Sequence, residues 1–104
     1  MALVERAMKI VNPLGMHARP AAELVRVANR FKASVEVRKD DVAVNGKSIL
    51  GVMTLAAECG SSIVIKTEGD DAEAAMTALL ALVADGFHEM HLKPGVEEEA
   101  EGAT

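Results

Sequence analysis

The fold is best predicted from residues 34–44, which are Ser34-Val35-Glu36-Val37-Arg38-Lys39-Asp40-Asp41-Val42-Ala43-Val44. Residues 34–38 alternate polar and apolar side chains, which is typical of a half-buried strand. Residues 42–44 form a short partner strand, and the Asp40-Asp41 pair suits a tight reversal, although less well than Asp-Gly would. Because a hairpin joins antiparallel strands, we expect an antiparallel sheet around this stretch.

Three helices and two more strands are predicted around this hairpin from the spacing of apolar side chains. Alternation indicates a strand, and apolar residues three and four apart indicate a helix. In chain order the predicted elements are a strand at 4–11, a helix at 17–31, the hairpin, a helix at 48–57, a strand at 62–67 and a helix capped by Asp70 and Asp71 that ends at Gly86.

The resulting order, β-α-β-β-α-β-α, predicts the α+β class. Helices that cross over between strands, with a hairpin in the middle, favour an open-faced β-sandwich in which three helices cover one face of a four-stranded antiparallel sheet. We expect this domain to span residues 1–91. From Leu92 the composition shifts to Lys-Pro-Gly and then to glutamates without an apolar stripe, so residues 92–104 are predicted to be a disordered acidic tail.

Composition excludes several classes of function. The 104 residues have a formal net charge of −5 and two aromatic side chains, whereas proteins that bind single-stranded nucleic acid stack bases on aromatics in a basic groove. We therefore expect no nucleic-acid partner. The single cysteine permits neither an intrachain disulfide nor a thiolate zinc site. No stretch approaches the roughly 18 apolar residues of a membrane span, and the charge pair Glu5-Arg6 stands where a signal peptide would need an apolar run. We therefore expect a cytoplasmic protein without membrane insertion.

A histidine lies at the start of the first predicted helix, in the segment Gly15-Met16-His17-Ala18-Arg19-Pro20-Ala21-Ala22. The first N–H groups of a helix lack internal partners, and the macrodipole attracts anions there. The oxygens of a phosphoryl group on His17 would accept from those N–H groups, with Arg19 as a charged donor. A histidine at a helix start is more often a plain surface residue, so the residues alone leave both interpretations open.

The same segment resembles the active-site signature of HPr, the family of histidine-containing phosphocarriers of the bacterial sugar phosphotransferase system. The resemblance covers residues 4–89, in element order as well as in motif. It implies that His17 accepts a phosphoryl group from a phosphohistidine of enzyme I and passes it to a histidine of an enzyme IIA domain. Arg19 would stabilise the phosphoryl group and the docked partner, and Asn12 would orient the imidazole. The supporting positions of the motif are Ala18 and Pro20. Such a protein is a carrier rather than an enzyme, and it needs no metal or other cofactor.

A second candidate site begins at Ser48, which is a good N-cap for the short helix that follows it. A cap alone is the ordinary interpretation of such a serine. The helix has apolar side chains on all sides, however, so part of it is expected to be exposed as a partner surface. By resemblance to HPr, Ser48 is a regulatory serine for an ATP-dependent kinase. The partner-docking residues that the resemblance implies are Ala21, Arg26, Lys47, Ile49, Leu50 and Met53, whereas Val52 and Leu55 are expected in the core.

Three functions remain open from the sequence. The first is a phosphocarrier for sugar uptake, with enzyme I and enzyme IIA domains as partners and a serine kinase or phosphorylase acting on Ser48. The second is a paralogue in a nitrogen-related phosphorelay, which the ending Gly86-Phe87-His88-Glu89 vaguely resembles. The third is a regulatory protein that docks a transcriptional regulator through the Ser48 region, against which the intact His17 argues. We expect a monomer in each case.

Two further features bear on partners. His88 and His91, with Glu89 between them, could look like a metal cluster. Without a further ordered ligand, solvated histidines at a helix end are the favoured interpretation. The net charge of −5 hides a basic surface, because residues 17–32 hold three arginines and one lysine against one glutamate. We therefore predict that partners present acidic surfaces to the first helix.

Overall fold

The computed structural model describes residues 2–91, and these fold in the predicted element order. The four strands are β1 (Ala2–Lys9), β2 (Ser34–Lys39), β3 (Val42–Asn45) and β4 (Ser62–Gly69). The α-helices are α1 (Ala18–Ala28), α2 (Ile49–Thr54) and α3 (Ala72–Ala84), and a 3-10 turn follows at Gly86–His88. The predicted acidic tail, residues 92–104, lies outside the described residues. Within the described range, the helices are too short or too polar to cross a bilayer.

The strands form one antiparallel sheet in the spatial order β1-β4-β2-β3. β2 and β3 make the predicted hairpin, in which Lys39 pairs with Val42 and Asp40 at the turn has a φ of +53°. β4 lies between β1 and β2 and pairs with both. The N–H of Ile10 donates to the carbonyl of Ser61, so the loop after β1 and the loop before β4 are neighbours.

The helices cover one face of the sheet, and the core lies between the two layers. Alternate strand residues face inward, as Val37 does in β2 and Ile65 does in β4, and both are fully buried. The opposite face of the sheet is open to solvent. Glu36 of β2 and Lys66 of β4 are partly exposed on it, and Nζ of Lys66 lies 3.8 Å from Oε2 of Glu36. The predicted open-faced sandwich, with three helices on a four-stranded antiparallel sheet, is thereby confirmed.

Some predicted element boundaries were wrong. α1 ends at Ala28 rather than near Phe31, because the N–H of Arg30 and the N–H of Phe31 donate to carbonyls three residues back, at 3.1 and 3.2 Å. Bonds of this tighter kind close the end of a helix. β1 spans residues 2–9 rather than 4–11, and α2 spans residues 49–54 rather than 48–57.

The predicted capping role of Asp71 was also wrong in its detail. Asp71 is the residue before α3, but its side chain makes no cap hydrogen bond. Its carboxylate instead accepts from the backbone N–H of Lys32 at 2.9 Å and of Ala33 at 2.8 Å. The N–H of Lys32, followed by that of Ala33, holds the pKa of Asp71 below its usual value. Asp71 therefore ties the start of α3 to the segment between α1 and β2.

Candidate functional site

His17 is the N-cap residue of α1, as the sequence predicts for a histidine between a turn and a helix. Its backbone is extended, with φ −95° and ψ −168°, and its carbonyl accepts from the N–H of Ala21 at 3.0 Å. Its side chain makes no cap hydrogen bond to the helix. The side chain is 29% exposed, so a partner in solution can reach the imidazole.

The loop that leads into His17 is held against the segment between α2 and β4. The N–H of Met16 donates to the carbonyl of Ala57 at 2.7 Å, and the N–H of Gly60 donates to the carbonyl of Ile10 at the same distance. Gly15 has a φ of +69°, and a Cβ built on it would lie 2.6 Å from the carbonyl oxygen of Ala57. The close approach of the two segments therefore requires glycine at this position.

Glu89 is a residue of the site that the sequence did not reveal. Nε2 of His17 lies 3.0 Å from Oε1 of Glu89, whose side chain is 2% exposed. The side-chain amide of Asn12 donates to the same oxygen at 3.2 Å and to the carbonyl of Gly15 at 2.8 Å. Asn12 is fully buried, and it contacts the same carboxylate of Glu89 that contacts the imidazole of His17. This position is consistent with the expectation that Asn12 orients the imidazole.

The three residues that looked like a metal cluster in the sequence separate in the structure. Glu89 is buried in the His17 site, whereas His88 and His91 are exposed, and His88 pairs with Asp85. Across residues 2–91 there is no group of three metal-binding side chains. The only sequence signal for Glu89 was its place after Gly86-Phe87, a glycine and a buried aromatic that turn the chain back at the end of α3.

The other residues of the first motif occupy the first turn of α1. Ala18 and Arg19 are exposed, and Pro20 is buried at a position where a missing N–H leaves no hydrogen bond unmade. The expectation that Ala21 helps to dock partners was wrong, because Ala21 is fully buried. Ala21 and Leu24 are three residues apart, so both side chains lie on the face of α1 that packs against the core.

Arg26 is exposed on the outer face of α1, as the docking interpretation requires. Its guanidinium lies 2.6 Å from a carboxylate oxygen of Glu23, and this hydrogen bond holds the pKa of Glu23 below its usual value. The arginine is therefore partly neutralised by a neighbour on its own helix.

Ser48 caps α2 as predicted, since its Oγ accepts from the N–H of Gly51 at 3.0 Å. Ile49, Leu50 and Met53 are exposed, and Leu50 most of all at 74%, while Val52 and Leu55 are buried. We call Ile49, Leu50 and Met53 the α2 patch. Because α1 and α2 pack against each other, the α2 patch belongs to the same layer as His17. The ammonium of Lys47 donates to the carbonyl of Phe31 at 2.8 Å.

Comparison with known proteins agrees with this site. A family model described as the PTS HPr component phosphorylation site matches residues 4–85. The phosphocarrier protein HPr of Cupriavidus necator is 44% identical over 87 residues, which cover 84% of this chain and 98% of that protein. The HPr-like protein Crh of Halalkalibacterium halodurans is 44% identical over 81 residues, covering 78% and 96%. The crystal structure of HPr-C-His from Thermoanaerobacter tengcongensis gives a TM-score of 0.80 at 42% identity, covering 83% of this chain and 97% of that one. The chain therefore belongs to the HPr family of phosphocarrier proteins of the phosphotransferase system.

Proposed function

We propose that this protein accepts a phosphoryl group on His17 from phosphorylated enzyme I and passes it to a histidine of an enzyme IIA domain in sugar uptake. The observation that supports this most is the partly exposed imidazole at the N-terminus of α1, inside the segment that matches a family model described as a phosphorylation site. The matched relatives are named phosphocarrier protein HPr, which supports the role of a carrier.

The first turn of α1 is suited to a phosphorylated histidine. A helix N-terminus presents N–H groups and the positive end of the macrodipole, and both favour the negative charge of a phosphoryl group. Ala18 and Arg19 supply the N–H groups nearest the imidazole along the chain, and the arginine adds a positive charge. Transfer between two histidines needs positioning and charge stabilisation, and this chain supplies one half of that site. The protein thereby acts as a carrier that is used and regenerated.

Labelling with phosphoenolpyruvate tests the acceptor directly. The protein is incubated with radiolabelled phosphoenolpyruvate, Mg²⁺ and enzyme I, and the bound label is measured after acid and after base treatment. We expect an acid-labile, base-stable label that is absent from His17→Ala. His91→Ala is the matched control, because it removes an exposed histidine and leaves His17 in place. Wild-type protein that takes no label would contradict the proposal.

A second proposed function is regulation through Ser48. It is supported by the exposed α2 patch beside the serine and by the match to a protein named HPr-like protein Crh. A serine kinase would add about two negative charges at the edge of an apolar docking surface, and the added charge would repel an acidic partner. With ATP and a serine kinase of the HPr type, we expect an acid-stable phosphate that Ser48→Ala abolishes and Ser62→Ala retains. An unlabelled wild-type protein would leave Ser48 as a helix cap only.

A further inference from the structure

The outer face of α1 is basic and borders a groove between α1 and α3. Residues 17–32 hold three arginines and one lysine against one glutamate, a formal charge of +3. Arg26 and Arg30 are exposed and line the groove on the α1 side. Val27 of α1 and Leu82 of α3 line it with buried apolar side chains. A groove with exposed arginines along one side is suited to a segment that carries carboxylates.

The acidic side chains of the same region offset only part of this charge. The hydrogen bond from Arg26 is the main cause of the lowered pKa of Glu23, and the charges of His88 and Arg30 act in the same direction. His88 is also paired with Asp85. Arg30 makes no hydrogen bond or salt bridge with the other described residues. Its guanidinium is therefore open to a further carboxylate.

A complementary charge is present in the same chain. Residues 92–104, which lie outside the described residues, hold one lysine and four glutamates, a formal charge of −3. The four glutamates all fall within residues 97–101, which we call the acidic segment. The charge of residues 92–104 is thus equal and opposite to that of residues 17–32.

The described part of the chain ends beside the basic face. Oε1 of Glu89 lies 3.0 Å from Nε2 of His17, at the start of α1. His88 lines the groove, and His91, two residues after Glu89, is exposed. The chain therefore leaves the described domain next to the outer face of α1.

The acidic segment begins close enough to reach this whole face. Glu97 is six residues beyond His91, and an extended chain spans at most roughly 3.5 Å per residue, so Glu97 lies within about 20 Å of His91. With 11 residues, α1 is about 16 Å long. A short tether of this kind gives a local concentration in the millimolar range, which favours even a weak contact.

We propose that the acidic segment binds the outer face of α1 at Arg26 and Arg30 of the same molecule and competes there with the acidic surface of a docking partner. The competition rests on the proposed function, whereas the contact itself does not. Exposed ion pairs are individually weak and are screened by salt, so the segment exchanges on and off the face and a partner displaces it. The segment thereby raises the concentration of partner that docking requires.

Two full-length variants of equal net charge isolate the contact. In the tail variant, the glutamates of the acidic segment are replaced: Glu97→Gln, Glu98→Gln, Glu99→Gln and Glu101→Gln. The control variant removes four exposed carboxylates from the open face of the sheet and from the turn between β2 and β3: Glu5→Gln, Asp40→Asn, Asp41→Asn and Glu68→Gln. Urea unfolding first establishes that each variant is folded.

The first readout is the contact itself, measured by paramagnetic relaxation in NMR spectra. A nitroxide is attached to Ala103→Cys in a Cys59→Ser background, and the broadening of backbone amides is recorded at low salt. We expect residues 23–30 to broaden equally in the wild-type background and in the control variant, and far less in the tail variant. The difference should disappear at about 0.5 M salt. Equal broadening of residues 23–30 with and without the tail glutamates would overturn the proposal.

A mixture separates a contact within one chain from a contact between two copies. Spin-labelled protein without isotope enrichment is mixed with ¹⁵N-enriched protein that carries no nitroxide. We expect no broadening of residues 23–30 in this sample. Broadening there would show that the acidic segment binds a second copy, which would overturn the contact within one molecule.

The second readout is the KM of enzyme I for this protein at low salt. A weak contact that covers α1 in about two-thirds of the molecules leaves one-third competent, so the tail variant should lower the KM by about threefold. The control variant should keep the wild-type KM. An equal fall in both variants would assign the effect to net charge and refute the competition. Wild-type protein that enzyme I never phosphorylates would refute the proposed function and the competition with it, while the contact within the chain would stand on the relaxation measurement.

Discussion

Substitution of Gly15 by alanine is the most informative perturbation of the loop that holds His17. At a φ of +69° an alanine is strained by roughly 1–2 kcal/mol. Its Cβ would also lie 2.6 Å from the carbonyl oxygen of Ala57 and 3.0 Å from the Cα of Glu58, and overpacking of this kind costs roughly 1–3 kcal/mol. The lower entropy of the unfolded alanine chain returns roughly 0.4–1 kcal/mol. We therefore expect Gly15→Ala to lower the free energy of unfolding by about 3 kcal/mol.

Gly60 offers a matched control in the neighbouring segment. Its φ is +92°, so alanine is strained there too, but no atom beyond its two chain neighbours lies within 4 Å of the Cβ position. Gly60→Ala should therefore cost only about 1 kcal/mol, the strain partly offset by the unfolded-state term. The difference of about 2 kcal/mol between the two variants is the contribution of the close approach between Gly15 and Ala57.

Urea unfolding followed by circular dichroism measures both variants. With a slope of about 2 kcal/mol per molar, Gly15→Ala should lower the unfolding midpoint by about 1.5 M and Gly60→Ala by about 0.5 M. Because the N–H of Met16 donates to the carbonyl that the new methyl group would displace, Gly15→Ala should also slow phosphorylation by enzyme I. If Gly15→Ala is no less stable than Gly60→Ala, the packing of the two segments is not as described.

Three further predictions concern α2 and α3. Ser48→Ala removes the hydrogen bond to Gly51 and should cost about 1 kcal/mol in urea unfolding, and an unchanged midpoint would show that the cap is not needed. Val52→Ala should lower the free energy of unfolding by roughly 2 kcal/mol, because the side chain of Val52 is fully buried. Leu50→Ala changes an exposed side chain, so it should leave stability nearly unchanged and raise the KM of enzyme I for this protein. Equal losses of stability in the two variants would refute the description of α2 as buried on one side and exposed on the other. The hydrogen bonds that lower the pKa of Asp71 stabilise the fold above the usual aspartate pKa of about 4, and this contribution disappears as the pH falls through the lowered pKa of the folded state. The stability difference between wild type and Asp71→Asn should therefore be present at pH 6 and vanish in strong acid, and a pH-independent difference would contradict it.

The sheet and helices were predictable because their signals are local. Alternation in β2 and the Asp40-Asp41 turn indicate a hairpin from adjacent residues alone, and Ser48 lies three residues from the N–H that it caps. These features need no knowledge of how distant segments meet.

Contacts between distant segments account for what the sequence did not predict. The carboxylate of Asp71 binds backbone N–H groups 38 and 39 residues away, whereas an acidic side chain directly before a helix predicts a local cap. Glu89 meets His17 across 72 residues, and only the left-handed turn after α3 directs it inward. The place of Ala21 in the motif implies a docking residue, although its spacing to Leu24 indicates the core, where it is fully buried. A motif identifies the chemistry of a segment, whereas burial depends on the whole fold.

A pulse-chase experiment tests the central claim, which is that His17 both takes and gives a phosphoryl group. The protein is labelled through enzyme I, separated from it, and mixed with an unphosphorylated enzyme IIA domain, and the label on each protein is followed over time. The account predicts that the label leaves this protein and appears on the enzyme IIA domain in equal amount. Label that remains on His17 in the presence of the enzyme IIA domain would contradict the role of a carrier.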